Sequence, residues 1–189
     1  MIISVTDFTG RLYLPNVQDA GQASFKTEFA TNAEMYEVRY LQTFLGYELA
    51  KLLLAAYAAQ PGTPLPSRYA DIINGTEYTD FNGNLQKWEG LKWQGSPILP
   101  YVYYNWIRWH VTNTTLGGEV LNQIENSQQI GYTDKIVLNW NEGVKQNQIL
   151  YEFLVKNSEV YPEFRAYVYN DWHNRDRKAL LVPINALNV

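Results

Sequence analysis

Cysteine is absent from all 189 residues, and histidine occurs only at His110 and His173. The first absence excludes disulfide scaffolds, thiol catalysis and cysteine-ligated metals. Charge is also scarce, at 18% of residues against about a quarter in an ordinary soluble domain. The net charge of -4 argues against a protein that wraps nucleic acid through basic patches. Long apolar runs are missing. The stretch 44–59 is interrupted by Glu48 and Lys51, and 97–111 by Asn105 and Arg108. Neither supplies the roughly 20 residues of a membrane span. The opening "MIISVTDFTG" lacks the basic start and apolar run of a signal peptide. These absences lead to the expectation of a soluble chain that does not engage a membrane.

Catalytic signatures are missing as well. There is no P-loop, G-x-G-x-x-G or H-E-x-x-H, and no G-x-S-x-G. The pairs Glu34/Glu37 and Asp71/Glu77 are indistinguishable from ordinary surface charge. We therefore expect no enzyme, no cofactor and no metal. One local cluster, "DWHNRD", brings Asp171, His173 and Asp176 close in sequence. A carboxylate–imidazole site is chemically possible there, but a solvated turn explains the same residues.

What the chain does have is aromatic residues, 15% of the total. "YVYYNWIRWH", residues 101–110, holds three tyrosines and two tryptophans. Rings on one exposed face make a stacking platform. Here they cover most of a helix circumference, which predicts a central buried helix instead. In that reading Val102, Trp106 and Trp109 lie in the core, and tyrosines reach the edge.

The remaining pattern is mostly helical. From Asn32 to Gln60, Val38, Leu41, Leu45, Leu49, Leu52 and Ala56 step by three or four. Tyr36, Tyr40, Phe44 and Tyr47 make a second stripe. A helix apolar on two sides is buried on two sides, so we expect these four to meet a neighbouring subunit. Gly46 is a candidate kink or break. "QPGTPLP" ends the segment, and "SRYADIING" predicts a short helix with Ser67 as N-cap and Gly75 at its end. Residues 76–95, with Asn82-Gly83, predict a β-hairpin or structured loop. Ser96-Pro97 looks like a helix start, with Pro100 an alternative starting point. "TTLGG" stops the aromatic helix, and "EVLNQIENSQQIGY" reads as weakly helical or loop. Residues 134–157 form another long helix, which Gly143 weakens by roughly 1 kcal/mol. "SEVYPEFRAYVYN" is a shorter one.

The predicted fold class is mainly α: a helical bundle with a small hairpin or loop insertion at 76–95 and extended termini. The divisions are an N-terminal extended segment 1–30 (with 1–5 a possible strand and 6–30 irregular), a helical domain 31–170 and a C-terminal arm 171–189. The arm's "KALLVPINALNV" is either a strand returning to its own domain or an extension added to a partner. The basic cluster Arg175, Arg177 and Lys178 just before it touches DNA or an acidic partner, or is a solvated linker.

The order of motifs resembles the head-tail connector (adaptor) proteins of tailed bacteriophages, in the form found in phages of Bacteroidetes. The likeness runs over roughly 33–164: "YLQTFLGYELAKLL", then "RYADIINGTEYTDFNGNLQKWEGLK", then "PILPYVYYNWIRWHVTNTTLGGEV", and finally "YEFLVKNSEVYPEF". It implies a structural virion protein, forming a homo-oligomeric, commonly dodecameric ring beneath the portal. Such a ring extends the channel through which genomic DNA passes without sequence-specific contact. It also meets tail or stopper proteins below, and assembles in the host cytoplasm. The resemblance offers no catalytic residue. It gives a docking role to the terminal arm, with Arg175, Arg177, Lys178, Leu180, Leu181, Val182, Ile184 and Leu187 as candidates. The alternative is a glycan- or receptor-binding module using Tyr78, Trp88 and Trp93.

Overall fold

A computed structural model describes residues 1–14, 17, 23–60, 62–115, 118–121, 132–168 and 176–185. Helix α1 spans Ala23–Leu45 and α2 spans Tyr47–Ala58. The residue between them, Gly46, has φ 84°, a backbone region that only glycine enters without strain. A Cβ there would also lie 2.7 Å from the Tyr167 ring. The break resets the helical phase, so the stripe read continuously across 46 does not hold: Leu53 is buried whereas Leu52 is exposed.

Helix α1 is described from Ala23, nine residues before the expected Asn32. Phe25, Phe29, Ala33, Tyr36 and Tyr40 already follow helical spacing, and Phe29 is fully buried between Phe8 and Trp106. Both ring pairs meet edge to face, at centroid separations of 4.9 Å. Residues 6–30 are therefore not irregular throughout.

Helix α3 covers Ser67–Asn74. Its N-cap position is Pro66, one residue earlier than expected. The hairpin follows: β1, Thr76–Thr79, pairs antiparallel with β2, Leu85–Trp88, with Thr76 opposite Trp88 and Thr79 opposite Leu85. Its turn is organised by Asp80, whose carboxylate accepts from the Asn82 and Asn84 amides at 2.8 Å. These bonds, Asn84 foremost, hold the Asp80 pKa below the ordinary carboxylate value. Trp88 is buried and donates its indole N–H to the Ile72 carbonyl at 3.0 Å.

Helix α4, Ile98–Val111, is the aromatic one. Ser96 receives the Ile98 amide on its hydroxyl, so the helix starts at the Ser-Pro signal. Pro100 sits in the first turn, where a missing N–H costs nothing. The long helix α5, Tyr132–Lys156, packs on α4, which packs in turn on α1. Gly143 marks that close approach: a Cβ there would lie 2.7 Å from the Pro100 ring. The residue weakens the helix locally and allows the packing. Helix α6 spans Pro162–Val168.

The chain is mainly α with small hairpin insertions. A second hairpin, β3 (Thr112–Thr115) with β4 (Gly118–Leu121), follows α4 directly. The helix-or-loop reading of "EVLNQIENSQQIGY" is corrected by it at 119–121.

The N-terminus is likewise corrected. Residues 1–5 make no strand; the backbone forms 3-10 turns at Val5–Asp7 and Gly10–Leu12. Ile2, Ile3, Phe8 and Leu14 are all buried in the common core.

Candidate interaction surface

The C-terminal arm lies along α5. Residues 176–179 make one helical turn, which runs on into a hydrogen-bonded turn at 180–181 and a bend at 182. Four side chains of α5 hold its backbone. Asn147 donates to the Leu180 carbonyl at 2.8 Å and Gln148 to Leu181 at 3.2 Å. The Trp140 indole donates to Val182 at 3.4 Å. Asn141 binds Ile184 twice, donating to its carbonyl at 3.0 Å and accepting from its amide at 2.9 Å. Helical spacing explains the set. Positions 140, 141, 147 and 148 lie on one face of a 3.6-residue helix, and primary amides both donate and accept. Asn147 also accepts from the buried Tyr40 hydroxyl, which ties the arm to the core. Burial raises the Tyr40 pKa well above the ordinary phenol value.

Upstream of these contacts, the Arg177 guanidinium faces three rings. Its carbon lies 5.0 Å from the Tyr167 centroid, 5.4 Å from Tyr151 and 5.7 Å from Phe164. The side chain is 2% exposed. Burial lowers its pKa from the usual arginine value, with Tyr151 and Tyr167 opposing. The contacts are cation–π in kind, and flat guanidinium groups stack well on rings.

These placements revise the candidate residues. Arg177 and Leu180 are buried in their own chain, so neither presents an open docking group. Leu181 and Ile184 are half-buried, while Lys178 and Val182 are exposed. Arg175 and Leu187 lie outside the described residues, as do Asp171 and His173. Of the stripe assigned to a neighbour, Tyr36, Tyr40 and Phe44 are buried within the chain at 7%, 0% and 0%. Tyr40 stacks on Phe44, and the two sides of α1 are covered by the chain's own helices. Tyr47 alone stays open, at 59%, because the Gly46 break turns it outward. It lines a cleft of about 480 Å³ with Arg39, Glu48, Glu163, Tyr167 and Asp176.

The aromatic helix behaves as a core element. Val102, Tyr103 and Trp106 are buried, and Tyr101 and Tyr104 are half-buried edge residues. Tyr104 packs against Trp140 at 4.6 Å. The side chains of Trp109 and His110 lie outside the described residues. For the alternative surface, Trp88 and Tyr78 are buried and only Trp93 is substantially exposed. Tyr78 instead donates to Glu152 at 3.3 Å, and its pKa is pushed up to about 12, mainly by burial. At the hairpin tip Phe81 is 65% exposed and lies under Lys156 at 4.8 Å.

Sequence reasoning missed Glu37, which it set aside as surface charge. This carboxylate is 1% exposed and accepts from the Ile2 amide at 2.8 Å and the Ile3 amide at 2.9 Å. Its spacing of four residues from Ala33 and of three and four from Tyr40 and Leu41, all buried, was the available signal. Among the described residues no group of three or more His, Cys, Asp or Glu side chains is arranged to hold a metal, and no helix is long and apolar enough to cross a membrane. No known protein family, curated protein or solved structure matches the chain.

Proposed function

We propose that the chain is a structural subunit of a phage head-tail connector ring. In this reading it docks on the portal, extends the DNA channel and meets the tail or stopper proteins. The observation that carries the reading is the order of motifs from "YLQTFLGYELAKLL" to "YEFLVKNSEVYPEF". A mainly helical fold with an aromatic helix packed between two long ones supports it.

The mechanism is geometric. The core gives each subunit a rigid shape, and closed cyclic symmetry multiplies weak contacts around a ring. Tyr47 is the remaining open member of the expected subunit interface. Val182 and Lys178 are the open members of the expected docking arm. The net charge of -4 suits a channel through which DNA slides without being held.

Mass photometry of the purified chain, alone and mixed with the portal protein of the same genome, tests the reading. We expect a portal complex heavier by a whole ring of subunits. A chain that never joins the portal under any condition contradicts it. The glycan-module alternative loses two of its three residues to the core, and no other observation favours it.

A further inference from the structure

Two Asn-Gly pairs lie close in the chain, Asn74-Gly75 and Asn82-Gly83. Chemically they are the same dipeptide. A glycine nitrogen, with no Cβ beside it, is the backbone nucleophile best placed to reach the preceding asparagine amide. The fold gives the two pairs opposite surroundings. Gly75 closes α3, and its N–H donates to the Asp71 carbonyl at 3.2 Å. A Cβ at Gly75 would lie 2.4 Å from the Trp88 carbonyl oxygen and 2.6 Å from the Glu89 carbonyl carbon. Gly90 closes in as well: a Cβ there would lie 2.6 Å from the Gly75 nitrogen and 2.5 Å from the Asn74 carbonyl carbon. That packing leaves the Asn74 side chain no path over the Gly75 nitrogen. Gly83, by contrast, sits at the open tip of the first hairpin, where a Cβ meets nothing within 4 Å. Asn82 and Gly83 are both exposed. The Gly83 N–H donates to the Asp80 carbonyl at 3.2 Å, a turn bond that water can replace.

We propose that Asn82 is a site of spontaneous deamidation and that the fold protects Asn74 from the same reaction. The Gly83 nitrogen gives its proton to hydroxide and attacks Cγ of Asn82. An N–Cγ bond forms, the Cγ–Nδ2 bond breaks and ammonia leaves, which closes a succinimide ring. Water then adds to either ring carbonyl and opens it to aspartate or isoaspartate. The balance is water in and ammonia out, with no change of oxidation state. The product places a new negative charge beside Asp80 and near Glu152, whose Oε1 accepts the Phe81 amide at 3.4 Å. Like charges brought together repel, and the isoaspartate form also lengthens the turn that joins Thr79 to Leu85. The modification therefore loosens the hairpin tip. The inference rests on the contrast between Gly75 and Gly83 and not on the connector reading.

Trypsin releases both pairs in a single peptide, residues 69–87, so each sample carries its own control. The folded chain is held in warm, mildly alkaline buffer, and that peptide is sequenced over time by tandem mass spectrometry. Loss of the Asn82 amide is expected while Asn74 stays intact. Isoaspartyl methyltransferase with radiolabelled S-adenosylmethionine is expected to label the aged chain, and Asn82→Gln is expected to abolish that label. In urea, where the packing around Gly75 is gone, both asparagines are expected to be lost at similar rates. The proposal is overturned if the folded chain loses Asn74 as fast as Asn82. It is equally overturned if the folded chain keeps both while the urea-unfolded chain loses both, or if Asn74 stays intact in urea as well.

Discussion

The two ends of the chain are held to the same bundle by opposite chemistry. The N-terminus is gripped by an ionisable group: Glu37 accepts the Ile2 and Ile3 amides inside the core. The C-terminal arm is gripped by neutral amides and one indole on the flank of α5, with its Arg177 inside a box of rings. A buried carboxylate is costly to desolvate and costly to strip of its donors. Neutral amides cost less to desolvate than a carboxylate, and the Asn141–Ile184 pair at the half-exposed end of the arm competes directly with water. The first end is therefore held inside the core by a charge, and the second along α5 by neutral groups that run from the buried Asn147–Leu180 pair to the half-exposed Asn141–Ile184 pair.

The largest expected break in this comparison is Glu37→Ala. It leaves two buried amides without acceptors, and we expect a loss of about 3 kcal/mol in urea unfolding. Next comes Asn147→Ala, which strips both Leu180 and the buried Tyr40 hydroxyl of a partner. A loss of about 2 kcal/mol is expected, and Tyr40→Phe in the same background should recover part of it. Asn141→Ala removes only the half-exposed pair with Ile184, for about 1 kcal/mol. Its signature is faster amide exchange at Ile184 with no change at Ile2 or Ile3. If Asn141→Ala costs as much as Glu37→Ala, the contrast between the ends is wrong.

The smallest effect is in pH dependence. Burial raises the Glu37 pKa above its ordinary value of 4.5, although the Ile3 and Ile2 amides pull it back. The folded chain thus binds that proton more tightly than the unfolded one. Its contribution to stability is greatest below 4.5 and is lost as pH rises through the raised value. Asp80 works in the other direction, losing its contribution as pH falls below its ordinary value of 3.8. Glu37→Gln is expected to flatten the slope of stability between neutral pH and 4.5, leaving the more acidic limb to Asp80.

Several features could be read directly from the residues. Periodicity located α4 and α5, the glycine at 46 marked a candidate kink or break that the stripe itself ran through, and Asn82-Gly83 located the first hairpin. Ring coverage around 101–110 gave the burial of Val102 and Trp106. The start of α1 escaped because Lys26, Thr27 and Glu28 dilute the Phe25/Phe29 spacing. The second strand pair escaped because Thr112–Thr115 and Gly118–Leu121 are short and carry no Asn-Gly signal, and "TTLGG" reads as a helix stop. The arm's seat was hidden for a different reason. Asn141, Asn147 and Gln148 read as the polar face of a helix, and only tertiary placement of 180–184 shows what they hold. Arg177 read as solvated charge because its three rings come from two other helices.

Amide hydrogen exchange of the chain with and without the portal protein tests the central claim most directly. The account predicts altered exchange over the arm, 180–185, and around Tyr47 when the portal is present. It predicts unchanged slow exchange at Ile2 and Ile3. Identical exchange at every position in the two samples contradicts it.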